Sequence, residues 1–175
     1  MKKSCITFLL LGIIMVSSVF FGGCFSENRS TEEFLRIHVR AHSDSEEEQA
    51  VKYLVRDALV AYLTPVVAQA NGKAEALSLI KERTEALEQT ANNALLTAGA
   101  GYLARVEVRR ERFPFRKYGD VCLQAGEYDA VIVELGEAKG QNWWCVVYPP
   151  LCFAGHGGVR YKSLILEKIL AWRNT

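Results

Sequence analysis

Apolar and basic residues alternate along one stretch in the first third of the chain. Residues 35–42 read LRIHVRAH, in which every odd position is apolar and every even position is basic. Alternation with a period of two predicts a strand with one buried side and one side facing solvent. The pattern therefore predicts a half-buried strand whose exposed face is basic. That face carries Arg36, His38, Arg40 and His42.

Two helices are predicted directly after this strand. Ser45 and Glu48 fit a capping box, and apolar residues then recur at helical spacing over residues 51–62. Pro65 is predicted to end this helix, because its ring disfavours a helical conformation in the residue before it. A second, narrow apolar seam over residues 77–98 predicts another helix that packs on the first. Together the two segments predict a helical hairpin.

The second half of the chain changes to strand-like patterns. Alternation over residues 102–109 predicts a strand that Pro114 interrupts, and apolar runs over 128–135 and 142–148 predict two more. Residues 163–172 are partly periodic and predict a short closing helix. The order of these elements predicts an α+β fold, in which the helical hairpin and a short C-terminal helix pack on a mainly antiparallel sheet.

Residues 1–24 have the pattern of an export segment. Two lysines precede an uncharged apolar run, which is typical of a signal peptide. A run of about 20 apolar residues is also long enough to stay uncut as a membrane anchor. Cys24 follows two glycines, as in a lipoprotein cleavage site, so lipidation of Cys24 is a third alternative. Each alternative predicts export, with residues 25–33 as a polar tether and residues 34–175 as a single domain.

The charge of the chain is nearly balanced. The sequence has 21 Lys and Arg against 20 Asp and Glu, which argues against nucleic acid as a partner. Basic side chains do crowd the stretch between Arg105 and Lys117. A solvated strand face and a site for an acidic partner both fit that local excess.

The histidines at positions 38 and 42 do not predict a metal site. Residues four apart on a strand are separated by roughly 13 Å, whereas zinc–nitrogen bonds are about 2 Å long. Exposed or capping roles are therefore expected for His38 and His42. His42, Ser43 and Asp44 have the residue types of a hydrolytic triad, but consecutive residues rarely converge on one point. Ser43 and Asp44 also suit a helix N-terminus, so we predict no catalytic residue, metal or cofactor.

The motif NWWCVVYPPLCF combines two adjacent tryptophans with two cysteines. Cys145 and Cys152 lie at equal distances from the Tyr–Pro bond, so a hairpin turning there would allow a disulfide between them. Cys122 is left over in this scheme. Trp143 and Trp144 must point to opposite sides of a strand. One is expected in the core and the other on the second face, where an aromatic side chain can anchor a partner.

Several blocks across the predicted exported domain resemble the stage II sporulation protein R family. These blocks are IHVRAHSDS from Ile37, VRD from Val55, FP from Phe113, YG from Tyr118, AGEY from Ala125, GQNWWC from Gly140 and PPLCF from Pro149. The last two blocks are long and unusual in composition. Chance agreement with the family is therefore improbable.

The resemblance implies a signalling role without catalytic residues. Family members are made in the forespore of an endospore-forming bacterium and exported into the space between its two membranes. There they trigger a membrane-embedded aspartic protease of the mother cell, the stage II sporulation GA protein, which cleaves pro-sigma-E. The candidate partner contacts are Trp143, Trp144, Arg36, His38, Arg40 and His42. The alternatives are an exported hydrolase that uses His38 or His42 and a lipid-tethered binding module.

Overall fold

The computed structural model of the chain describes residues 31–118 and 121–151. A short 3-10 turn, Thr31–Glu33, precedes the first strand. The elements that follow are β1 (Leu35–Arg40), α1 (Glu46–Val67), α2 (Lys73–Lys81), α3 (Thr84–Thr97), β2 (Ala104–Phe113), β3 (Arg116–Tyr118), β4 (Val121–Leu123), β5 (Gly126–Leu135) and β6 (Asn142–Tyr148).

The strands form one sheet and one small ribbon. The sheet has the order β2-β5-β1-β6, and β3 pairs only with β4. Strand β2 is antiparallel to β5, and β6 is antiparallel to β1, whereas β1 and β5 are parallel. The parallel pair is possible because the helices and β2 lie between those two strands in the chain, so no hairpin sets their direction. The predicted α+β fold with a mainly antiparallel sheet is confirmed.

Helix α1 begins as predicted but ends later than predicted. The side chain of Ser45 accepts a hydrogen bond from the backbone N–H of Glu48 at 3.3 Å, which confirms Ser45 as the cap. The carboxylate of Glu48 does not return to the cap and instead accepts from the Tyr102 hydroxyl. The prediction that Pro65 ends the helix is wrong, since α1 continues to Val67. Pro65 lies in the last turn, where its missing N–H removes only one bond.

The second predicted helix is divided in two. Arg83 leaves the helical conformation, with φ −113° and ψ 15°, and separates α2 from α3. The Thr84 hydroxyl donates to the carbonyl oxygen of Lys81 at 2.9 Å across this break. The break redirects the chain, so that Ile80 of α2 and Leu87 of α3 are both fully buried in the core shared with α1. The helical hairpin therefore consists of one long helix, α1, and a bent segment made of α2 and α3.

The sheet is covered on both sides, which creates two separate cores. On the helix side, Leu35, Ile37 and Val39 of β1 pack with the apolar faces of the three helices. On the opposite side, which we call the ribbon side, Phe113 and Tyr128 pack with Leu123 of the β3–β4 ribbon. The ribbon side was not expected, because the sequence predicted that this face of β1 meets solvent.

Some predictions fall outside the described residues. These are the export segment and Cys24, most of the tether, Cys152 and the C-terminal helix predicted at residues 163–172. Among the helices that the structure describes, none combines the length and the apolar character needed to cross a membrane. The division into an export segment, a tether and one domain stays a prediction.

Candidate functional site

Two loops meet at the end of the sheet where β1 and β5 finish and β6 begins. The backbone N–H of Gly140 donates to the carbonyl oxygen of Ala41 at 2.9 Å. The N–H of Gln141 donates to the carboxylate of Asp44 at 2.6 Å. A Cβ atom at Gly140 would lie 2.1 Å from the carbonyl oxygen of Ser43, so only glycine allows this approach. The blocks HSDS and GQNWW, far apart in the chain, therefore form one rigid corner.

The His42 side chain helps to hold this corner together. Its Nδ1 atom accepts a hydrogen bond from the backbone N–H of Glu137 at 3.0 Å. Its ring stacks on Tyr102 with centroids 4.4 Å apart. These contacts match the predicted capping role of His42, although the backbone that it caps is a loop rather than a helix. Asp44 likewise binds the loop at Gln141, and not the N-terminus of α1 as predicted.

An aromatic and basic surface lies beside the corner, on the helix side. We call it the corner patch and define it as Lys52, Tyr53, Arg56, Asp57 and Trp143. The Arg56 guanidinium carbon lies 4.6 Å from the Tyr53 ring centroid and 5.7 Å from that of Trp143. The Lys52 ammonium lies 4.8 Å from the same Tyr53 ring. One helix face and the start of β6 thus bring two rings and two cations together, although one of the cations, Lys52, is buried.

Lys52 is the buried member of the corner patch. Its Nζ atom donates to the Gln49 side chain at 2.5 Å and to the carbonyl oxygen of Gln141 at 3.1 Å. Burial and the charge of Arg56 lower the pKa of Lys52, whereas Asp44 raises it. Lys52 therefore joins α1 to the β5–β6 loop and holds the patch in place.

Trp144 lies on the ribbon side of β6, opposite Trp143. Its ring stacks on His38 with centroids 3.5 Å apart, and it meets Phe113 edge-on at 4.8 Å. The prediction that the two tryptophans point to opposite sides is confirmed. The expectation that one is buried and the other exposed is wrong, since both are half-buried. The reason is that each side of the sheet has its own core.

The predicted basic outer face of β1 is not exposed. Arg36 and His38 are 0% and 1% exposed, because Phe113, Tyr128 and the ribbon cover this side of the strand. Arg36 lies 4.2 Å and 4.9 Å from the ring centroids of Phe113 and Tyr128. Among the described residues it donates one hydrogen bond, to the Tyr118 hydroxyl at 2.8 Å, and its Nε and Nη1 atoms have no hydrogen-bond partner there. Neither residue can touch a partner directly in this conformation.

His38 is held in a buried polar contact. Its Nδ1 atom lies 2.8 Å from the Glu111 carboxylate, and its Nε2 atom makes no hydrogen bond of good geometry with the part of the chain that the structure describes. Burial lowers the pKa of His38, and it outweighs the opposing contributions of Glu111 and Asn142. Burial alone would raise the pKa of Glu111, but hydrogen bonds from His38 and Arg109 and the charge of Arg40 lower it overall.

Arg40 belongs to a network of alternating charges rather than to a basic surface. Its guanidinium binds Glu134 at 2.6 Å and Glu111 at 2.8 Å. Arg109 of β2 contacts the same two carboxylates. The acidic residues of β2 and β5 thus balance the basic side chains. Strand β5 lies between the two basic strands β1 and β2, and its Glu134 together with Glu111 of β2 largely neutralises their charges.

Only two of the three cysteines in the predicted scheme, Cys122 and Cys145, lie within the described residues. Cys145 and Cys122 are each disulfide-bonded, so Cys122 is not left over. Cys152 lies outside the described residues, and its pairing with Cys145 stays a prediction. In the same described ranges, no group of three or more His, Cys, Asp and Glu side chains is arranged to hold a metal ion.

The sequence interpretation missed Lys52, Tyr53 and Arg56 as site residues. Their spacing contained a usable signal, since positions three and four apart share one helix face. Arg56 also belongs to the block VRD, which resembles the sporulation family. The contact with Trp143 could not be predicted, because it depends on how α1 crosses β6.

Comparisons with known proteins agree with the resemblance in the sequence. The family model described as Stage II sporulation protein R matches residues 31–157. Stage II sporulation protein R of Bacillus subtilis (strain 168) is 34% identical over 131 residues, which cover 73% of this chain and 58% of that protein. The chain thus aligns with little more than half of that relative's length. No solved structure matches. The chain belongs to the stage II sporulation protein R family.

Proposed function

We propose that the chain is an exported sporulation signal that activates a membrane-embedded aspartic protease and has no catalytic activity of its own. Family membership is the observation that carries the proposal, since it makes the chain a sporulation protein. Its partner is the stage II sporulation GA protein of the mother cell. The consequence is cleavage of pro-sigma-E in that cell.

The proposed location is the space between the forespore and mother-cell membranes. The two lysines and the apolar run at the start of the chain support export from the forespore. Retention in the forespore membrane, through an uncut segment or a lipid on Cys24, is compatible with this location. Either attachment leaves the domain on the outer side of the membrane.

The mechanism we propose is selective binding to the active state of the protease. A ligand shifts an equilibrium between two states only by its difference in affinity for them. The rigid corner suits such a ligand, because its side chains lose little freedom on binding. Trp143 is the best-placed anchor, since it is partly exposed and its neighbours already fix its position.

Complementation tests the proposal. The gene is expressed in sporulating cells that lack their own copy, and the ratio of cleaved to uncleaved pro-sigma-E is read on a blot. We expect restored cleavage with the unchanged chain and a strong loss with Trp143→Ala, because a buried aromatic anchor contributes about 2 kcal/mol or more, roughly thirtyfold in affinity. Leu103→Ala, at a side chain that is 74% exposed and distant in sequence, is the control and should cleave normally.

Two results would contradict the proposal. Uncleaved precursor in cells that export the unchanged, folded protein would mean that it does not activate the protease. Equal cleavage with Trp143→Ala and with Leu103→Ala would remove Trp143 as an anchor. Circular dichroism of both purified variants checks that a loss of cleavage does not come from unfolding.

A further inference from the structure

The charge around Arg56 is only partly matched within the domain. Arg56 donates through Nε and Nη2 to one oxygen of Asp57, its neighbour in the helix, at 2.7 Å in both cases. Its Nη1 atom has no acceptor within residues 31–118 and 121–151. Lys52 adds a second cation nearby and forms no ion pair with the residues described here. Among its own members the corner patch has two positive charges and one negative charge, and the carboxylate of Asp44 also acts on Lys52.

The two cations share one aromatic ring. Lys52 and Arg56 both lie within 5 Å of the centroid of the Tyr53 ring, at 4.8 and 4.6 Å. Such contacts orient a guanidinium and keep it partly out of water. Because Lys52 is almost fully buried, solvent and salt screen its charge less than that of a surface lysine. The patch thus combines two fixed cationic side chains with the apolar surface of Tyr53 and Trp143.

We propose that the corner patch binds an acidic segment of a protein partner, with a carboxylate on Arg56 and an apolar neighbour on Trp143. This inference rests on the proposed function and specifies the chemistry of the partner. A carboxylate accepts two hydrogen bonds from one guanidinium, so it supplies the acceptor that Nη1 lacks. A basic segment would be repelled by Lys52 and Arg56. An uncharged segment would cover Arg56 without giving it a new acceptor.

A protein segment fits the patch better than an anionic membrane does. The first turn of α1 carries Glu46, Glu47 and Glu48 near the patch, and these side chains would repel a surface of anionic lipid headgroups. Trp143 is also only partly exposed, whereas insertion into a bilayer needs a protruding apolar side chain. A narrow acidic segment can contact Arg56 and avoid the three glutamates, because Arg56 lies at least two helical turns further along α1, about 12 Å from them.

Charge reversal at Arg56 tests the proposal, with Arg83 as a matched control. Arg83 also pairs with an acidic neighbour in sequence, Glu82, and is partly exposed, but it belongs to the break between α2 and α3 rather than to the corner patch. Binding of Arg56→Glu, Arg56→Met and Arg83→Glu to the purified protease in lipid nanodiscs is measured at several salt concentrations. We expect at least a tenfold weakening for Arg56→Glu, a smaller one for Arg56→Met and no change for Arg83→Glu. Affinity of the unchanged protein should fall as salt rises.

A photocrosslinking amino acid at position 53 provides a measurement that does not assume which partner binds. In sporulating cells, we expect an adduct that disappears with Arg56→Glu and whose linked peptide contains Asp or Glu. The same amino acid at Leu96, which is 77% exposed on α3, should give no such adduct. An adduct that persists with Arg56→Glu, or a linked peptide without acidic residues, would overturn the proposal.

The outcomes separate this inference from the proposed function. If the unchanged chain restores cleavage while Arg56→Glu and Arg83→Glu bind equally well, the acidic-segment proposal fails and the signalling role stands. If an Arg56-dependent adduct forms on an acidic peptide of another protein, the role of the protease fails and the proposal stands. Arg56-dependent binding to phosphatidylglycerol vesicles without protein would overturn it in favour of a lipid surface.

Discussion

Both sides of the sheet are buried, but the side chains that are buried on the two sides differ in polarity. On the helix side, β1 contributes Leu35, Ile37 and Val39 to an apolar core. On the ribbon side, the same strand contributes Arg36 and His38, surrounded by aromatic rings and one carboxylate. Alternation in a strand therefore shows which residues share a side, but not whether the polar side meets water. That second property depends on what the rest of the chain places over it.

The two sides of the sheet should contribute differently to the stability of the fold. An apolar core is stabilised in proportion to the area removed from water. A buried guanidinium or imidazole must also recover the hydration that it loses, through hydrogen bonds or ring contacts. Arg36 recovers part of it from Tyr118, Phe113 and Tyr128. The helix side should therefore provide most of the stability, and the ribbon side should be sensitive to the charge states of its residues.

The largest expected effect is in the apolar core. Leu59 of α1 is 0% exposed, so Leu59→Ala should lower the free energy of unfolding by about 2–5 kcal/mol through lost burial and a cavity. Leu96→Ala, at a side chain that is mostly exposed, should change it by less than about 0.5 kcal/mol. Urea denaturation followed by circular dichroism measures both. Similar values for the two variants would contradict the assignment of the helix-side core.

The effect of replacing Arg36 on stability should depend on which residue replaces it. Arg36→Met keeps much of the volume and removes the buried charge, so stability should be unchanged or higher by about 1–4 kcal/mol. Arg36→Ala should be destabilised by about 2–4 kcal/mol, because it leaves a cavity between Phe113 and Tyr128. Thermal unfolding of both proteins makes the comparison. A large loss with Arg36→Met would mean that the charge has a strong counter-ion and that the ribbon side resembles an ion-pair site.

The ribbon side should lose stability at mildly acidic pH. Burial lowers the pKa of His38 below its ordinary value of 6.5 in the folded protein, so the unfolded chain binds a proton more readily. Stability is then fully present above pH 6.5 and is lost as the pH falls from 6.5 through the folded pKa. Glu111, whose folded pKa is also lowered, adds a loss below pH 4.5.

Urea titrations at several pH values measure this dependence. In His38→Phe, the loss between pH 6.5 and the folded pKa should disappear, while the loss below pH 4.5 remains. Fluorescence gives a second measure, since protonation of a ring stacked on Trp144 should change its emission. A loss of stability near pH 6 that is unchanged in His38→Phe would assign the pH dependence to another group.

The smallest effect is expected at the edge of the charged network. Arg105 is 72% exposed and pairs with Glu107, so Arg105→Ala should alter the free energy of unfolding by less than about 1 kcal/mol. The change should shrink further in 1 M salt, which screens exposed charges. A larger change at high salt would show that Arg105 packs on the ribbon side through its stem.

Local signals predicted much of the fold. Ser45 marked the start of α1 because a cap acts within one turn, and β5 and β6 were found because their apolar runs are long. The break at Arg83 was missed because no proline or glycine marks it. The ribbon was missed because its strands have only three residues each, which is too short for a period to show. Because the ribbon was not predicted, the burial of Arg36 and His38 was not predicted either.

Only part of the candidate site was predicted, because local sequence signals do not show which elements pack against each other. Trp143 and Trp144 were recognisable from composition, and their opposite directions follow from the geometry of any strand. Lys52, Tyr53 and Arg56 were missed as partners of Trp143, because the corner is formed by packing between α1 and the β5–β6 loop. Spacing along a helix identifies which residues share a face but not what that face touches.

The direction of β1 has a consequence for how the domain would sit at its proposed location between two membranes. The strand runs from Leu35 to Arg40, so the amino-terminal end of the domain and the corner lie at opposite ends of the sheet, about 17 Å apart along the strand. A domain held at its amino-terminal end by one membrane then points Trp143 and Arg56 away from that membrane. If the proposed location is right, the polarity of a single strand would orient the corner patch across the gap, toward the proposed partner.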